Sequence, residues 1–384
     1  MAQAVRCGKS LRDVASQFGV SVPTVFRWVK RAKGKQLDRV NFSDHSCVAH
    51  LIANRTEAKI EKEIIQLRRE LKEQSDLGEF GGVAIHREME KLKRNPLPAV
   101  RTINYILQRH GLFDSHTRQR RQPPPIGWYL PDVVATLAEI DEFDFVEGLI
   151  IKDGPEVEVL NVVSLHGGLV GSWQKEAWTA KLACTAMTEH WRKWGLPDYA
   201  QFDNDTRFQG SHAHPDVIGI VIRFCLSLGV IPVFAPPREH GMQNPIEGFN
   251  GRWQAKVWAR FQFDDLQALK AQSEKYIQAY QQRQAARTER APRRRPFPKG
   301  WTLNQENKVR GQIIYIRRTN DQGMASVLGR QYEVEKTWIH RLVKSVVDID
   351  AKAIRFYSLR RREPNQQLLL KEVFYSLPSR YVTE

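Results

Sequence analysis

Three acidic side chains stand at points where strand-like and helix-like patterns begin or end, in a chain that is otherwise strongly basic. Residues 132–158 hold nine Asp and Glu and one base, Lys152, whereas the whole chain carries 59 Lys and Arg against 43 Asp and Glu. Facing carboxylates repel one another and repel phosphates, and that cost disappears when divalent cations lie between them and a phosphodiester. Two hard cations roughly 3.5–4 Å apart take oxygen ligands from several directions, activate a water or a 3′-hydroxyl, and stabilise the leaving oxygen of an in-line displacement. At least three carboxylates must then converge. The three with suitable settings are Asp144 in EIDEFDFVEG, Asp203 in YAQFDNDTRF and Glu247 in NPIEGFNGRW.

The elements that must position them follow from periodicity. Segments 139–147, 157–164 and 169–173 read as strands and 176–194 as an amphipathic helix. A short strand at 199–202, a helix at 215–228, a buried strand at 230–234 and a helix at 245–260 come next. This succession predicts a mixed sheet covered by helices. Asp144, flanked by Phe143 and Phe145, takes the strand face opposite its neighbours, and Asp203 ends the strand beside it. Glu247 opens a helix behind Pro245, with Asn244 as its expected cap. Register on a strand is not determined by sequence, so Asp141 remains a rival to Asp144. Asp203 also suits a plain turn, and Glu247 an ordinary first-turn acid. His166, His212, His214 and His240 are assigned no chemistry. Arg252, Lys256 and Arg260, spaced along the Glu247 helix, offer either phosphate ligands or a solvated basic face.

A length of 384 residues implies several domains, and a net charge of +16 makes nucleic acid the first partner to consider. There is no apolar run of 18 residues and no signal-peptide core, so a soluble, cytoplasmic protein is expected. Cys7, Cys47, Cys184 and Cys225 have no CxxC spacing, which predicts reduced thiols and no zinc module. Residues 10–33 pattern as two short helices joined at Gly19, with Ala15 allowing a close crossing and Ser21 capping the second helix. This is a helix-turn-helix with Thr24, Arg27 and Lys30 facing outward to DNA. Helices at 56–74, 84–93 and 99–110 suggest a second such unit, with Arg101, Thr102, Tyr105 and Arg109 as groove or phosphate contacts. The proline-rich basic stretches 118–127 and 286–300 read as linkers, the second with Arg293, Arg294 and Arg295 available to phosphates. Short β segments between 308 and 373 suggest a small barrel.

With the acidic residues in place, the chain resembles insertion-sequence transposases of the DDE integrase superfamily over nearly its whole length. Asp203 with Asn204 and Phe208 matches that family's Asp-Asn-Gly-x-x-Phe block, and Asn244 with Glu247 its Asn-x-x-Glu block. Asp205 stands where the family has glycine, Pro245 and Gly248 depart from the third block, and 44 residues separate Asp203 from Glu247. The resemblance implies a multidomain fold: amino-terminal all-α helix-turn-helix domains (1–40 and 55–115), a central α/β ribonuclease-H-like core (130–288), and a carboxy-terminal β-barrel-like module (305–378). It also implies a transposase that binds terminal inverted repeats and catalyses strand cleavage and transfer into target DNA. Asp144, Asp203 and Glu247 would hold two Mg²⁺ or Mn²⁺ ions, and the protein would act as a homo-oligomer assembled on DNA. The departures at Asp205 and Pro245 leave a second reading, a DNA-binding regulator or domesticated protein with an inactive core.

Overall fold

The computed structural model describes residues 1–43, 56–113, 127–210, 214–237, 242–304, 308–361 and 363–378. The first proline-rich stretch, at 118–126, lies outside these residues, as do Cys47, His212 and His240. The chain divides into two compact units, residues 1–61 and 62–384.

The first unit holds α1 (Ala2–Arg6), α2 (Leu11–Phe18) and α3 (Val22–Ala32). The Ser10 hydroxyl accepts from the Asp13 amide and so caps α2, which Gly19 ends in the left-handed conformation at φ 63°. Val14, Ala15 and Val25 are buried where α2 and α3 cross. Ser21 precedes α3 as expected, but its hydroxyl meets the Thr24 hydroxyl at 2.8 Å instead of capping a backbone amide. Arg6 donates to the carbonyls of Ala32 and Lys35 and so satisfies the end of α3.

In the second unit α4 (Ala58–Gln74), whose first residues belong to the amino-terminal unit, is followed by α5 (Gly82–Lys91) and α6 (Val100–Arg109). Ile85, Met89, Ile103, Ile106 and Leu107 are buried on the inner faces of α5 and α6. Next come α7 (Pro131–Val134), then β1 (Ile140–Ile150), β2 (Glu156–Ser164) and β3 (Val170–Lys175), α8 (Ala180–Trp194), β4 (Tyr199–Phe202), α9 (Thr206–Gln209), α10 (Ile220–Ser227), β5 (Ile231–Phe234), α11 (Asn244–Lys256) and α12 (Leu266–Thr288). Six strands close the chain: β6 (Gln312–Arg318), β7 (Met324–Val327), β8 (Arg330–Glu333), β9 (Leu342–Asp348), β10 (Ala353–Ser358) and β11 (Leu369–Phe374).

Among the described residues one sheet runs β11-β10-β9-β6-β5-β4-β1-β2-β3, and β7 and β8 form a separate hairpin. The strands β1, β4, β5 and β6 are parallel neighbours, and antiparallel strands flank them on both sides. The carboxy-terminal β segments are therefore present, but they extend the core's sheet and do not close on themselves. The reason lies in packing across β5, which would otherwise be an edge strand with unpaired amides and carbonyls. Phe143, Phe202, Phe234 and Tyr315, one from each parallel strand, stack in a row with ring centroids 5.7, 5.8 and 5.0 Å apart. Pairs of this kind add about 0.5–1.5 kcal/mol each beyond the area they bury.

Apolar clusters lie on both faces of the sheet. Trp191 of α8 and Phe224 of α10 pack on the side of Phe143 and Phe202. On the other side Phe249 and Trp253 of α11 and Tyr276 of α12 meet Val146, Val157 and Val159. The proline-rich stretch after α12 is a strap held to the core, not a solvated linker. Leu196 and Arg295 form an isolated antiparallel bridge, and Arg295 donates to the carbonyls of Pro197 and Gly229.

Candidate active site

From Asp141 to Val146, ahead of a bulge, strand β1 presents two sets of side chains in alternation. Asp141 and Phe143 point toward α8. Asp141 is fully buried, accepts from the Trp191 indole at 2.9 Å and is gripped by the Arg294 guanidinium at 2.8 and 2.5 Å. Burial alone would raise its pKa, and the Arg294 charge and hydrogen bonds more than offset that and hold it below the usual carboxylate value. Glu142 and Asp144 take the opposite face, under α11. The Glu142 carboxylate accepts from the Ile246 amide at 3.1 Å, in the first turn of α11, and Asp144 accepts from the Asn250 amide at 2.8 Å. The Asn250 carbonyl oxygen in turn accepts from Asn161 of β2 at 2.8 Å.

Asp203 follows from the parallel register. Ile140 lies beside Tyr199 and Glu142 beside Gln201, and continuing that pairing sets Asp144 next to Asp203 on neighbouring strands, whose spacing is about 4.8 Å. Asp203 opens a turn in which its carboxylate accepts from the Asp205 amide at 3.0 Å, and Asp205 caps α9. Asn204 pins the same turn: its amide donates to the Ala235 carbonyl at 2.7 Å, and its oxygen accepts from the buried Arg317 of β6 at 2.9 Å. Glu247 occupies the first turn of α11, whose cap position is Gln243, one residue before the Asn244 expected there.

These placements make the carboxylates feel one another. Asp144 is pushed up to about 7, first by burial and then by the charges of Asp203 and Glu247. Glu142 reaches about 8, again chiefly through burial, with Glu247 and Asp144 adding to it. Asp203 is raised by burial and by Asp205, against the pull of Arg207. The Arg207 guanidinium, 3.8 Å from the Phe145 ring centre, is itself engaged by Asp205, Glu147 and Glu158. An all-oxygen donor set under mutual repulsion is the arrangement that hard cations relieve, so the residues suit Mg²⁺ or Mn²⁺ in chemistry. Among the described residues, no three His, Cys, Asp or Glu side chains stand close enough to enclose an ion as they are.

Other expected contacts have different employment. Lys256 donates to the Gly78 carbonyl at 3.0 Å and Arg260 to those of Lys72 and Glu73, so both satisfy the carboxy-terminal end of α4 and its following loop. Arg252 reaches the Tyr280 hydroxyl at 3.3 Å. His166 bonds the Val133 carbonyl, and His214 is exposed. On α6, Arg101 and Tyr105 hydrogen-bond each other at 2.9 Å on the exposed face, beside Thr102 and Arg109. Glu142, Asn161, Asn250, Arg207 and Arg317 were not singled out from sequence. Two of them had a local signal: Glu142 lies two residues before Asp144 on one strand face, and Asn250 three after Glu247 on one helix face.

No helix among the described residues is long and apolar enough to cross a membrane. No curated protein sequence matches the chain. Solved structures similar to parts of it include the three that follow. The simian T-cell lymphotropic virus intasome in complex with PP2A regulatory subunit B56 gamma is 14% identical over 72% of this chain and 87% of that one, with a TM-score of 0.34. The BIV integrase catalytic core domain is 16% identical over 36% and 80%, at 0.28. The HTLV-2 integrase catalytic core domain in complex with magnesium is 17% identical over 35% and 82%, at 0.27. Residues 1–40, where α2, Gly19 and α3 form the helix-turn-helix described above, match the model of the homeodomain-like domain family.

Proposed function

We propose that the protein is a transposase: it grips terminal inverted repeats through its amino-terminal helical units and cuts and joins DNA strands at Asp144, Asp203 and Glu247. The observation that carries this reading is the parallel register that sets Asp144 beside Asp203, with Glu247 in the first turn of the helix over β1, in a chain of net charge +16. Like charges gathered under one helix are a cost to folding unless the site has use for them.

Asp144, Asp203 and Glu247 would hold two Mg²⁺ or Mn²⁺ ions, which when bound supply an activated water or 3′-hydroxyl and a charge for the leaving oxygen. The chain's own residues aim the ligands. Asn250 fixes the Asp144 carboxylate, and Asn161 fixes the rotamer of the Asn250 amide. Glu142 ties the first turn of α11 to β1, which sets the direction of Glu247. Arg317 and Asn204 hold the turn that carries Asp203. If the ions bind there, Asp144 would hold them as the carboxylate, so ion affinity would rise with pH through about 7. Joining two element ends calls for a homo-oligomer assembled on DNA.

One observation favours the alternative of a DNA-binding regulator: Arg207 and Asp205 occupy the Asp203 turn with an ion pair where the transposase block has glycine. A single assay separates the readings. Labelled duplexes that the protein enriches from a random pool are incubated with it, a target plasmid and Mg²⁺ or Mn²⁺. Cleaved ends and joined products that vanish in Asp203→Asn support the transposase. Cleavage without joining indicates a nuclease of the same fold. Binding without either leaves the regulator.

A further inference from the structure

On α3, Thr24 and Arg31 already have partners. The Thr24 hydroxyl is bonded to Ser21, and the Arg31 guanidinium lies 5.2 Å from the Trp28 ring centre while donating to the Ser43 carbonyl at 2.7 Å. Pro23, Phe26, Arg27 and Lys30 remain, at the i, i+3, i+4, i+7 spacing of a single helix face. Phe26 is 53% exposed, although the neighbouring Val25 is fully buried. Phe26 stands at one edge of this face with Lys30 and Arg27 both on its carboxy-terminal side, and neither cation has an acidic partner among the described residues. Residues 1–43 carry nine bases against two acids. An exposed aromatic ring with two cations beside it on the turn-following helix of a homeodomain-like domain is poorly suited to a protein partner, which would have to desolvate both charges. It is well suited to the major groove, where phosphates and guanine edges take the cations and the thymine 5-methyl is the apolar group on offer.

We infer that Phe26 is a specificity residue that reads a thymine 5-methyl in the major groove, next to the base or phosphate contacts of Arg27 and Lys30. This rests on the DNA-binding half of the proposed function and not on the carboxylates. Burying one methyl corresponds to about fourfold in affinity.

The full chain, Phe26→Ala, Phe26→Leu and Arg27→Ala are each carried through selection from random duplexes. The enriched duplex is then rebuilt with deoxyuridine at one thymine at a time, which removes only the 5-methyl. At one position deoxyuridine should weaken the wild type about fourfold, leave Phe26→Ala unaffected, and cost Phe26→Leu part of that factor. Melting profiles confirm that the variants fold, as an exposed side chain leads one to expect. The inference is overturned if the wild type tolerates deoxyuridine at every thymine, or if Phe26→Ala selects the same motif with the same sensitivity. It is equally overturned if Phe26→Ala only dissolves a DNA-free dimer. If Arg27→Ala erases the motif and Phe26→Ala does not, this inference falls and the reading of α3 stands. If the wild type enriches no motif, both fall.

Discussion

Replacing Asp144 with asparagine should stabilise the metal-free protein while destroying its chemistry. The magnitude follows from the site. A carboxyl moved from its ordinary 3.8 to about 7 by burial and by Asp203 and Glu247 is penalised, when ionised, by about 4 kcal/mol. The sign is that of a raised acid: between pH 4 and 7 the folded protein binds more protons than the unfolded chain. Stability is therefore lost as pH rises through that window, and the loss levels off above it. The asparagine side chain would carry no charge to penalise and would keep an oxygen for the Asn250 amide. Even half of the penalty, about 2 kcal/mol, raises the melting midpoint of the 62–384 unit by roughly 3 °C. Thermal unfolding of wild type and Asp144→Asn in EDTA, from pH 4 to 9, should show coincident midpoints at the acid end and a gap that opens through pH 7. Added Mg²⁺ should close the gap from the wild-type side, because ions that bind only the folded state raise its midpoint. A variant less stable than wild type at pH 8, or a gap that does not depend on pH, would refute the electrostatic argument.

The remaining expectations concern separate parts of the molecule. Asp203→Asn and Glu247→Gln should abolish cleavage and joining in the plasmid assay while gel-shift affinity for duplex DNA stays within about twofold, as expected for a lost metal ligand in an intact fold. Arg294→Met should cost about 3–5 kcal/mol in denaturant unfolding, because it leaves the Asp141 carboxylate buried and unpaired. Asp141→Asn should likewise lose stability by leaving Arg294 without its charge partner, so reduced activity in that variant should track the fraction unfolded. Arg27→Ala should lose about 1–3 kcal/mol of discrimination between selected and random duplexes in a competition titration; equal weakening on both would move sequence reading to α6, around Arg101 and Tyr105.

What the sequence made legible here is local, and what it hid is long-range. Alternation along β1 predicted that Asp144 leaves the face of Phe143 and Phe145, and the structure adds why Asp141 differs. Arg294, 153 residues away in the chain, reaches the Asp141 face, and no pattern around either residue announces the pair. The stretch holding Arg293 to Arg295 has the composition of a solvated linker, because prolines and arginines describe stiffness and charge but not the backbone carbonyls that Arg295 finds on Pro197 and Gly229. Lys256 and Arg260 obey helical spacing that suits a phosphate-binding face, yet the end of α4 supplies their acceptors. The six carboxy-terminal strands were visible as β segments, whereas their attachment to β5 depends on the aromatic row from Phe143 to Tyr315, whose members are scattered across four strands. The two aspartates of β1 carry the general point. They lie three residues apart on one strand and shift in opposite directions, Asp141 down beside a guanidinium and Asp144 up beside two carboxylates. Two acids on one strand can thus serve opposite ends, one holding the sheet to its strap and the other a carboxyl whose charge a proton relieves below about pH 7 and, on the proposed reading, a bound cation would relieve above it.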